Sequence, residues 1–132
     1  WSAKMHKYSR QREAVKRFLS DRKDHPTAEQ VYEALRLDIP DISLGTVYRN
    51  LAALTEAGEI RKVVCENDEK SHFDPDTSPH LHFCCTRCHG LSDVSAVSVS
   101  GLIEQVGPQI PGEVERIEMI LYGICSDCLI KE

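Results

Sequence analysis

The stretch Ser43-Leu44-Gly45-Thr46-Val47-Tyr48-Arg49-Asn50-Leu51-Ala52-Ala53-Leu54 decides the fold of the first half of the chain. Its apolar residues recur every three or four positions, which predicts an amphipathic helix that buries Leu44, Val47, Leu51 and Leu54. Ser43 is a preferred N-cap residue, and Gly58 can adopt the left-handed conformation that ends a helix. We therefore expect a helix between these two residues, with Tyr48 at its border and an outward face formed by Thr46, Arg49, Asn50 and Ala53.

Two more helices are predicted before this one. Between Ser9 and Ser20, apolar residues fall at helical spacing and cations occupy the other faces. Thr27-Ala28-Glu29-Gln30 matches a capping box, in which the Thr and Gln side chains bond reciprocally to backbone amides, so a second helix starts there. Pro40 ends this segment, because proline cannot continue a helix.

A β-hairpin is predicted after the third helix. Ile60–Cys65 and Ser71–Asp74 are short β-prone runs, and the polar segment 66–70 between them forms a turn. Three helices followed by a hairpin is the order of a winged helix-turn-helix, in which the third helix enters the DNA major groove and the hairpin touches the backbone.

The outward face of the third helix carries residue types that suit DNA recognition. Arg49 can bond in a fork to guanine, Asn50 can pair with adenine, and Thr46 can contact thymine or phosphate. The net charge is -5, but residues 1–65 carry 12 Lys/Arg against 9 Asp/Glu, whereas residues 66–132 carry 4 against 12. An ordinary solvated helix face would account for the same residues. Together with the basic first helix and the hairpin they favour DNA contacts from Ser43, Thr46, Tyr48, Arg49 and Asn50.

Two Cys-x-x-Cys pairs, Cys85/Cys88 and Cys125/Cys128, lie in the last third of the chain. The spacing lets both sulfurs of a pair reach one ion, and four thiolates form a tetrahedral structural Zn2+ site. Two disulfides or a redox dithiol are the alternatives. The chain shows no secretory segment, which disfavours stable disulfides, and we therefore predict zinc.

The remaining segments predict a small α/β domain. We expect strands at Leu81–Cys85, Leu91–Val94 and Glu113–Tyr122, and a helix at Val97–Val106. The predicted fold class is α+β, with an N-terminal winged helix-turn-helix domain at 1–74, a hinge at 75–79 and a small zinc-stapled α/β dimerisation domain at 80–132. No apolar run is long enough to span a membrane, which predicts a soluble, cytoplasmic protein without a membrane partner.

A second metal site is predicted beside the cysteines. His80-x-His82 on a strand places both imidazoles on one face, because side chains alternate with a period of two. Asp74 precedes this pair, and Asp93 follows the first cysteine pair on the adjacent strand. Imidazole with carboxylate suits iron, manganese or zinc.

Four motifs in this order resemble the ferric uptake regulator family: Ile42–Leu51, His80-x-His82, Cys85-x-x-Cys88 and Cys125-x-x-Cys128. The resemblance runs from about Tyr8 to Cys128. It is greatest to the peroxide-sensing branch of the family, because five residues match the regulatory-metal ligands of that branch: His25, Asp74, His80, His82 and Asp93. Asp93 separates the branches, since iron-sensing relatives usually carry Glu there.

The resemblance implies a homodimeric transcriptional repressor, not an enzyme, that binds palindromic double-stranded DNA operators when loaded with Fe2+ or Mn2+. In the iron form, peroxide would oxidise His25 or His80 and so release the DNA. The nearest alternative is an iron-, manganese- or zinc-responsive repressor without peroxide sensing. A zinc hydrolase or redox enzyme using His80, His82 and Asp93, and a zinc-stapled interaction module, are the alternatives from other classes.

The other cysteines and histidines are interpreted as structural. Cys65 and Cys84 are expected to pack as small buried hydrophobic residues. We interpret His6, His72 and His89 as surface residues.

Overall fold

The structure is a computed structural model that describes residues 2–66, 68–94 and 98–131, with side chains from residue 10 onward. The chain divides into two units, Trp1–Thr77 and Ser78–Glu132. The division lies inside the segment 75–79, and the function of that segment as a hinge stays a prediction. None of the described helices is both long and apolar enough to cross a lipid bilayer.

Three helices build most of the first unit. They are α1 (Ser2–Leu19), α2 (Ala28–Leu35) and α3 (Leu44–Glu56). The second and third helices start at N-caps: the capping box of Thr27 and Gln30 is present, and the Ser43 side chain accepts a hydrogen bond from the Thr46 amide. Gly58 follows α3 with φ of 77°, as the left-handed stop requires. The helices bury a common core of Val15, Leu19, Ala28, Val31, Leu35, Ile42, Val47, Leu51, Leu54, Ile60 and Phe73.

A two-stranded hairpin completes this unit. Strands β1 (Arg61–Val63) and β2 (His72–Asp74) pair antiparallel, with Arg61 opposite Asp74 and Val63 opposite His72. Phe73 points into the helical core, which fixes the hairpin against the helices. The order of three helices and a hairpin confirms the predicted winged-helix arrangement.

The second unit contains a three-stranded sheet in the order β4-β3-β5. The elements are β3 (Leu81–Cys85), β4 (Leu91–Val94), α4 (Val99–Val106), a 3-10 helix at Gly107–Gln109, β5 (Ile120–Gly123) and α5 (Ser126–Ile130). β3 pairs antiparallel with β4 and parallel with β5. This arrangement brings the ends of β3 and β5, and with them the two cysteine pairs, to one place.

Several predicted bounds were wrong. The first helix begins at Ser2 rather than Ser9. The strand predicted over Glu113–Tyr122 is restricted to Ile120–Gly123, because its partner β3 starts only at Leu81 and His82 already pairs with Ile120. Helix α5 was not predicted, since five residues are too few to show a helical period. Val97, predicted to start α4, lies outside the described residues.

Candidate metal centres and nucleic-acid face

The four cysteines of the two Cys-x-x-Cys pairs form a cluster in the second unit. Their sulfur atoms all lie within 4.8 Å of one another. The Sγ atoms of Cys85 and Cys128 are 3.8 Å apart, and so are those of Cys88 and Cys125. A tetrahedral ion with metal–sulfur bonds of about 2.3 Å separates its ligands by about 3.8 Å, whereas a disulfide needs about 2.05 Å. The spacing suits a tetrahedral metal and does not suit disulfides.

The surroundings of the cluster lower the pKa of one thiol and raise the pKa values of two others. Backbone amides of Cys88 and Cys125 donate towards Cys85 and lower the pKa of its thiol to about 5. The hydrogen bond that the Cys128 thiol donates to Cys125, together with burial, raises the pKa of Cys128 to about 12. The Gly90 amide favours the Cys88 thiolate, but the bond to Cys85 and desolvation outweigh it and raise the pKa of Cys88. A bound cation would offset the raised pKa values of Cys88 and Cys128 by stabilising their thiolates.

A second cluster in the same unit contains two imidazoles and a carboxylate. His80 Nε2 lies 3.0 Å from His82 Nε2 and 3.1 Å from Asp93 Oδ1. His82 Nε2 lies 3.4 Å from the same carboxylate oxygen. Ligands of one ion at about 2.1 Å are separated by about 3.0 Å at right angles and about 3.4 Å at tetrahedral angles. These three donor atoms are therefore spaced as ligands of one metal ion are.

A hydrogen bond prepares His80 for metal binding. Its Nδ1 donates to the carbonyl oxygen of Ser78 at 2.8 Å. A carbonyl oxygen only accepts, so the proton sits on Nδ1 and the lone pair of Nε2 faces His82 and Asp93. His82 and Asp93 pair directly across β3 and β4, which sets their distance.

The first unit brings together the other two predicted ligands. His25 Nε2 lies 3.1 Å from Asp74 Oδ2, and each residue is only 1% exposed. Asp74 ends β2, while His25 lies in the connection between α1 and α2. The donor set again combines imidazole with carboxylate, which suits Fe2+, Mn2+ or Zn2+. Whether all five residues bind one ion stays a prediction.

The exposed face of α3 differs from the predicted one. Thr46 is 9% exposed and Asn50 only 5% exposed, so the prediction that both face outward was wrong. Helix α1 packs across this side of α3, and Arg12 Nε donates to Asn50 Oδ1 at 3.5 Å. The Thr46 hydroxyl is engaged by Ser43 Oγ at 2.9 Å and by Arg49 Nη2 at 3.0 Å. Leu44, predicted to be buried, is half-buried.

The residues of α3 that do face solvent form a stripe along the helix: Gly45, Tyr48, Arg49, Ala52 and Glu56. Tyr48 is 46% exposed, and its hydroxyl donates to Glu29 Oε1 at 2.5 Å. This bond raises the pKa of Tyr48 and lowers that of Glu29. Ser43, also exposed, lies at the start of the stripe as the N-cap of α3.

A groove of about 530 Å³ separates α3 from the hairpin. Its charged lining is mixed, with Lys62 and Lys70 beside Glu29, Glu56 and Glu69. Two cations of the basic first segment are held in ion pairs, Lys16 with Glu59 and Arg22 with Asp24. These two cations of the first segment therefore have their charges offset by neighbouring carboxylates.

His72 is a further residue that the sequence did not single out. It was predicted to be a surface residue, but it is half-buried, and both of its ring nitrogens have hydrogen-bond partners. Its partners come from the α1–α2 connection and from the hairpin turn, so no local sequence pattern indicates them. Cys65 and Cys84 are buried, and His89 is half-buried.

Comparison with known proteins places these features in context. The sequence model of the ferric uptake regulator family matches residues 3–122. The peroxide-responsive repressor PerR of Staphylococcus aureus (strain USA300) is 31% identical over 118 residues, which cover 89% of this chain and 79% of the relative.

Two solved structures share the fold. The peroxide stress regulator of Campylobacter jejuni superposes with a TM-score of 0.83 at 30% identity, covering 96% of both chains. The ferric uptake regulator Fur of Helicobacter pylori superposes with a TM-score of 0.81, covering 91% of this chain and 80% of that one; at 19% identity it shows similarity of fold alone.

Proposed function

The chain belongs to the ferric uptake regulator family, and from that premise we propose that it is a metal-dependent, DNA-binding transcriptional repressor that senses hydrogen peroxide. Members of this family are metal-responsive regulators, not enzymes. The observation that carries the proposal is the cluster of His80, His82 and Asp93, whose donor atoms lie 3.0 to 3.4 Å apart. The relatives named above are themselves described as peroxide regulators.

The regulatory ion is Fe2+ or Mn2+, and its proposed ligands are His25, Asp74, His80, His82 and Asp93. Two of these residues belong to the first unit and three to the second, so one ion bound by all five would join the units. Binding would select a closed arrangement with a defined spacing of the α3 helices in a homodimer. A shift from mostly open to mostly closed requires a preference of about 5.5 kcal/mol.

Oxidation of His25 or His80 is the proposed sensing step. Iron held by these residues would supply the redox chemistry that cleaves the peroxide oxygen–oxygen bond. In the net reaction, one peroxide oxygen replaces hydrogen at C2 of the imidazole and the other leaves as water. The residue gains one oxygen atom, and the modified ring no longer binds as before. The Nδ1 hydrogen bond of His80 to Ser78 orients this ring.

The proposed role of the cysteine cluster is structural. Cys85, Cys88, Cys125 and Cys128 would bind Zn2+ and hold β3, β5 and α5 together, which leaves sensing to the histidines and aspartates. Exposed apolar side chains of the second unit support a homodimer interface there: Met119, Leu121, Tyr122, Leu129 and Ile130. We propose that the homodimer acts in the cytoplasm on palindromic DNA.

DNA recognition is proposed for Tyr48 and Arg49, with Ser43 contacting the backbone. The test uses a duplex selected from a random library by the Mn2+-loaded protein. Arg49→Ala should reduce affinity for this duplex about 5- to 150-fold, since a specific arginine contact contributes about 1–3 kcal/mol. Arg36→Ala, which removes the same charge at the end of α2, is the control. Equal effects of the two substitutions would contradict a specific role for Arg49.

Peroxide sensing is tested by mass spectrometry. The protein is loaded with Fe2+ or Mn2+ and treated with peroxide, and its peptides are compared. We expect one added oxygen on the peptide of His25 or His80 in the iron form alone, together with release of the duplex. Fragmentation of the peptides assigns the added oxygen to one residue, and His72 and His89 are the internal controls. Metal-dependent DNA binding without this oxidation would leave an iron-, manganese- or zinc-responsive regulator and would refute the peroxide part of the proposal.

A further inference from the structure

His25 has an unusual backbone conformation. Its φ is 53°, in the left-handed region, where a residue with a Cβ atom is strained by about 1–2 kcal/mol. Strain of this kind persists where the surrounding structure holds the residue in place. Here Phe73 N donates to Pro26 O at 3.0 Å, and Thr27 forms an isolated β-bridge with His72. The hairpin strand β2 therefore holds the segment 25–27.

The His72 side chain continues this connection into the hairpin turn. Its Nδ1 lies 2.8 Å from the backbone oxygen of His25, and its Nε2 lies 2.8 Å from Asp68 Oδ2. The other oxygen of Asp68 accepts a hydrogen bond from the Lys70 amide at 3.0 Å. A continuous series of close polar contacts thus joins the backbone of the predicted metal ligand His25 to Lys70.

The far end of this series of contacts lies at the groove beside α3. Lys70 lines that groove together with Lys62 and Tyr48, where the proposed function places DNA. His72 and Asp68 have side chains that are only 12% and 13% exposed, so their bond is shielded from water and constrains both ends. These contacts therefore connect the backbone of His25 to the turn that carries Lys70.

We propose that His72 is a positioning residue that couples metal binding at His25 to DNA binding by the hairpin turn, through Asp68. This inference rests on the proposed function. It adds a route of communication inside the first unit, separate from any joining of the two units by the metal. We call the ratio of DNA affinities with and without Mn2+ the coupling factor. By thermodynamic linkage, DNA raises the affinity for Mn2+ by the same factor.

The test measures this coupling factor for the full chain. Affinity for the selected duplex is measured with and without Mn2+, and Mn2+ affinity is measured with and without the duplex. Asp68→Asn weakens the link at the turn by replacing the carboxylate with a neutral amide, and His72→Phe removes both ring contacts. Glu69→Gln removes the same charge from the neighbouring exposed residue and is the matched control.

We expect Asp68→Asn and His72→Phe each to reduce the coupling factor at least about fivefold in both measurements. Glu69→Gln should change DNA affinity equally with and without Mn2+, which leaves the factor unchanged. If His72→Phe does not fold, Asp68→Asn decides the question. An unchanged factor in Asp68→Asn, with a clear metal effect in the unsubstituted protein, overturns the coupling alone. If the unsubstituted protein shows no metal effect, the proposed function and this inference both fail.

Discussion

Substitution of one cysteine of the cluster should unfold the second unit selectively. Cys128 Sγ lies 3.8 Å from Cys85 Sγ, and Cys125 N donates to Cys85 Sγ at 3.4 Å, so the cluster ties α5 and the end of β5 to β3. Cys128→Ser removes one of the four sulfur donors. The prediction is that zinc is lost and that this part of the molecule opens while the helices of the first unit stay folded.

The size of the expected loss in stability depends on the other interactions within the second unit, and these are few. Its buried large apolar side chains, among the described residues, are Leu81 and Leu91, and α4 has no buried residue. Two buried leucines contribute about 3–6 kcal/mol, whereas a structural zinc site contributes about 10–16 kcal/mol. We expect Cys128→Ser to lower the free energy of opening by at least about 4 kcal/mol.

Hydrogen exchange read by mass spectrometry distinguishes the two units. A loss of 4 kcal/mol corresponds to about a 1000-fold loss of amide protection, expected over residues 81–85 and 120–123. Residues 28–35 and 44–56 should keep their protection. Metal analysis of the same samples gives the zinc content per chain.

Cys84→Ala is the matched control, because Cys84 is buried in β3 beside the cluster residue Cys85 but is not part of the cluster. This substitution should lower the free energy of opening by about 1–2 kcal/mol and leave zinc bound. Full protection of residues 81–85 in zinc-free Cys128→Ser protein would refute the reasoning that the metal holds this unit together.

Three further predictions follow from the local structure. Asn50→Ala should lower the free energy of unfolding in urea by about 1–2 kcal/mol, since Asn50 is buried, and should leave base preference unaltered; a changed base preference would contradict this. Thr27→Ala should lower the free energy of unfolding by about 1 kcal/mol because it removes the capping box, whereas Thr27→Ser should keep most of that stability. Equal losses in the two variants would argue against the cap. Zinc affinity should fall at least about 100-fold for each unit decrease in pH, because the raised pKa values of Cys88 and Cys128 mean that binding releases at least two protons; calorimetry in different buffers counts them, and an affinity independent of pH would contradict it.

Features set by neighbours in sequence were predicted well. The N-caps Thr27 and Ser43 and the left-handed Gly58 depend on contacts within a few residues, and all three are confirmed. The strands Leu81–Cys85 and Leu91–Val94 have their predicted bounds. The strand predicted from Glu113 was too long, because strand length depends on a partner and β3 supplies one only from Leu81.

The sequence by itself determined which segments form helices and which residue types are available to bind metal, since helix periodicity, capping and cysteine spacing are local properties. Only the tertiary structure decided which side of α3 is covered. Helix α1 packs against α3 and its Arg12 contacts Asn50, whereas Tyr48 and Arg49 stay in solvent. It also decided that His72 lies against His25, 47 residues away in sequence. The physical reason is the same in both cases: a helical or alternating pattern shows that a face is buried, but the element that buries it comes from elsewhere in the chain.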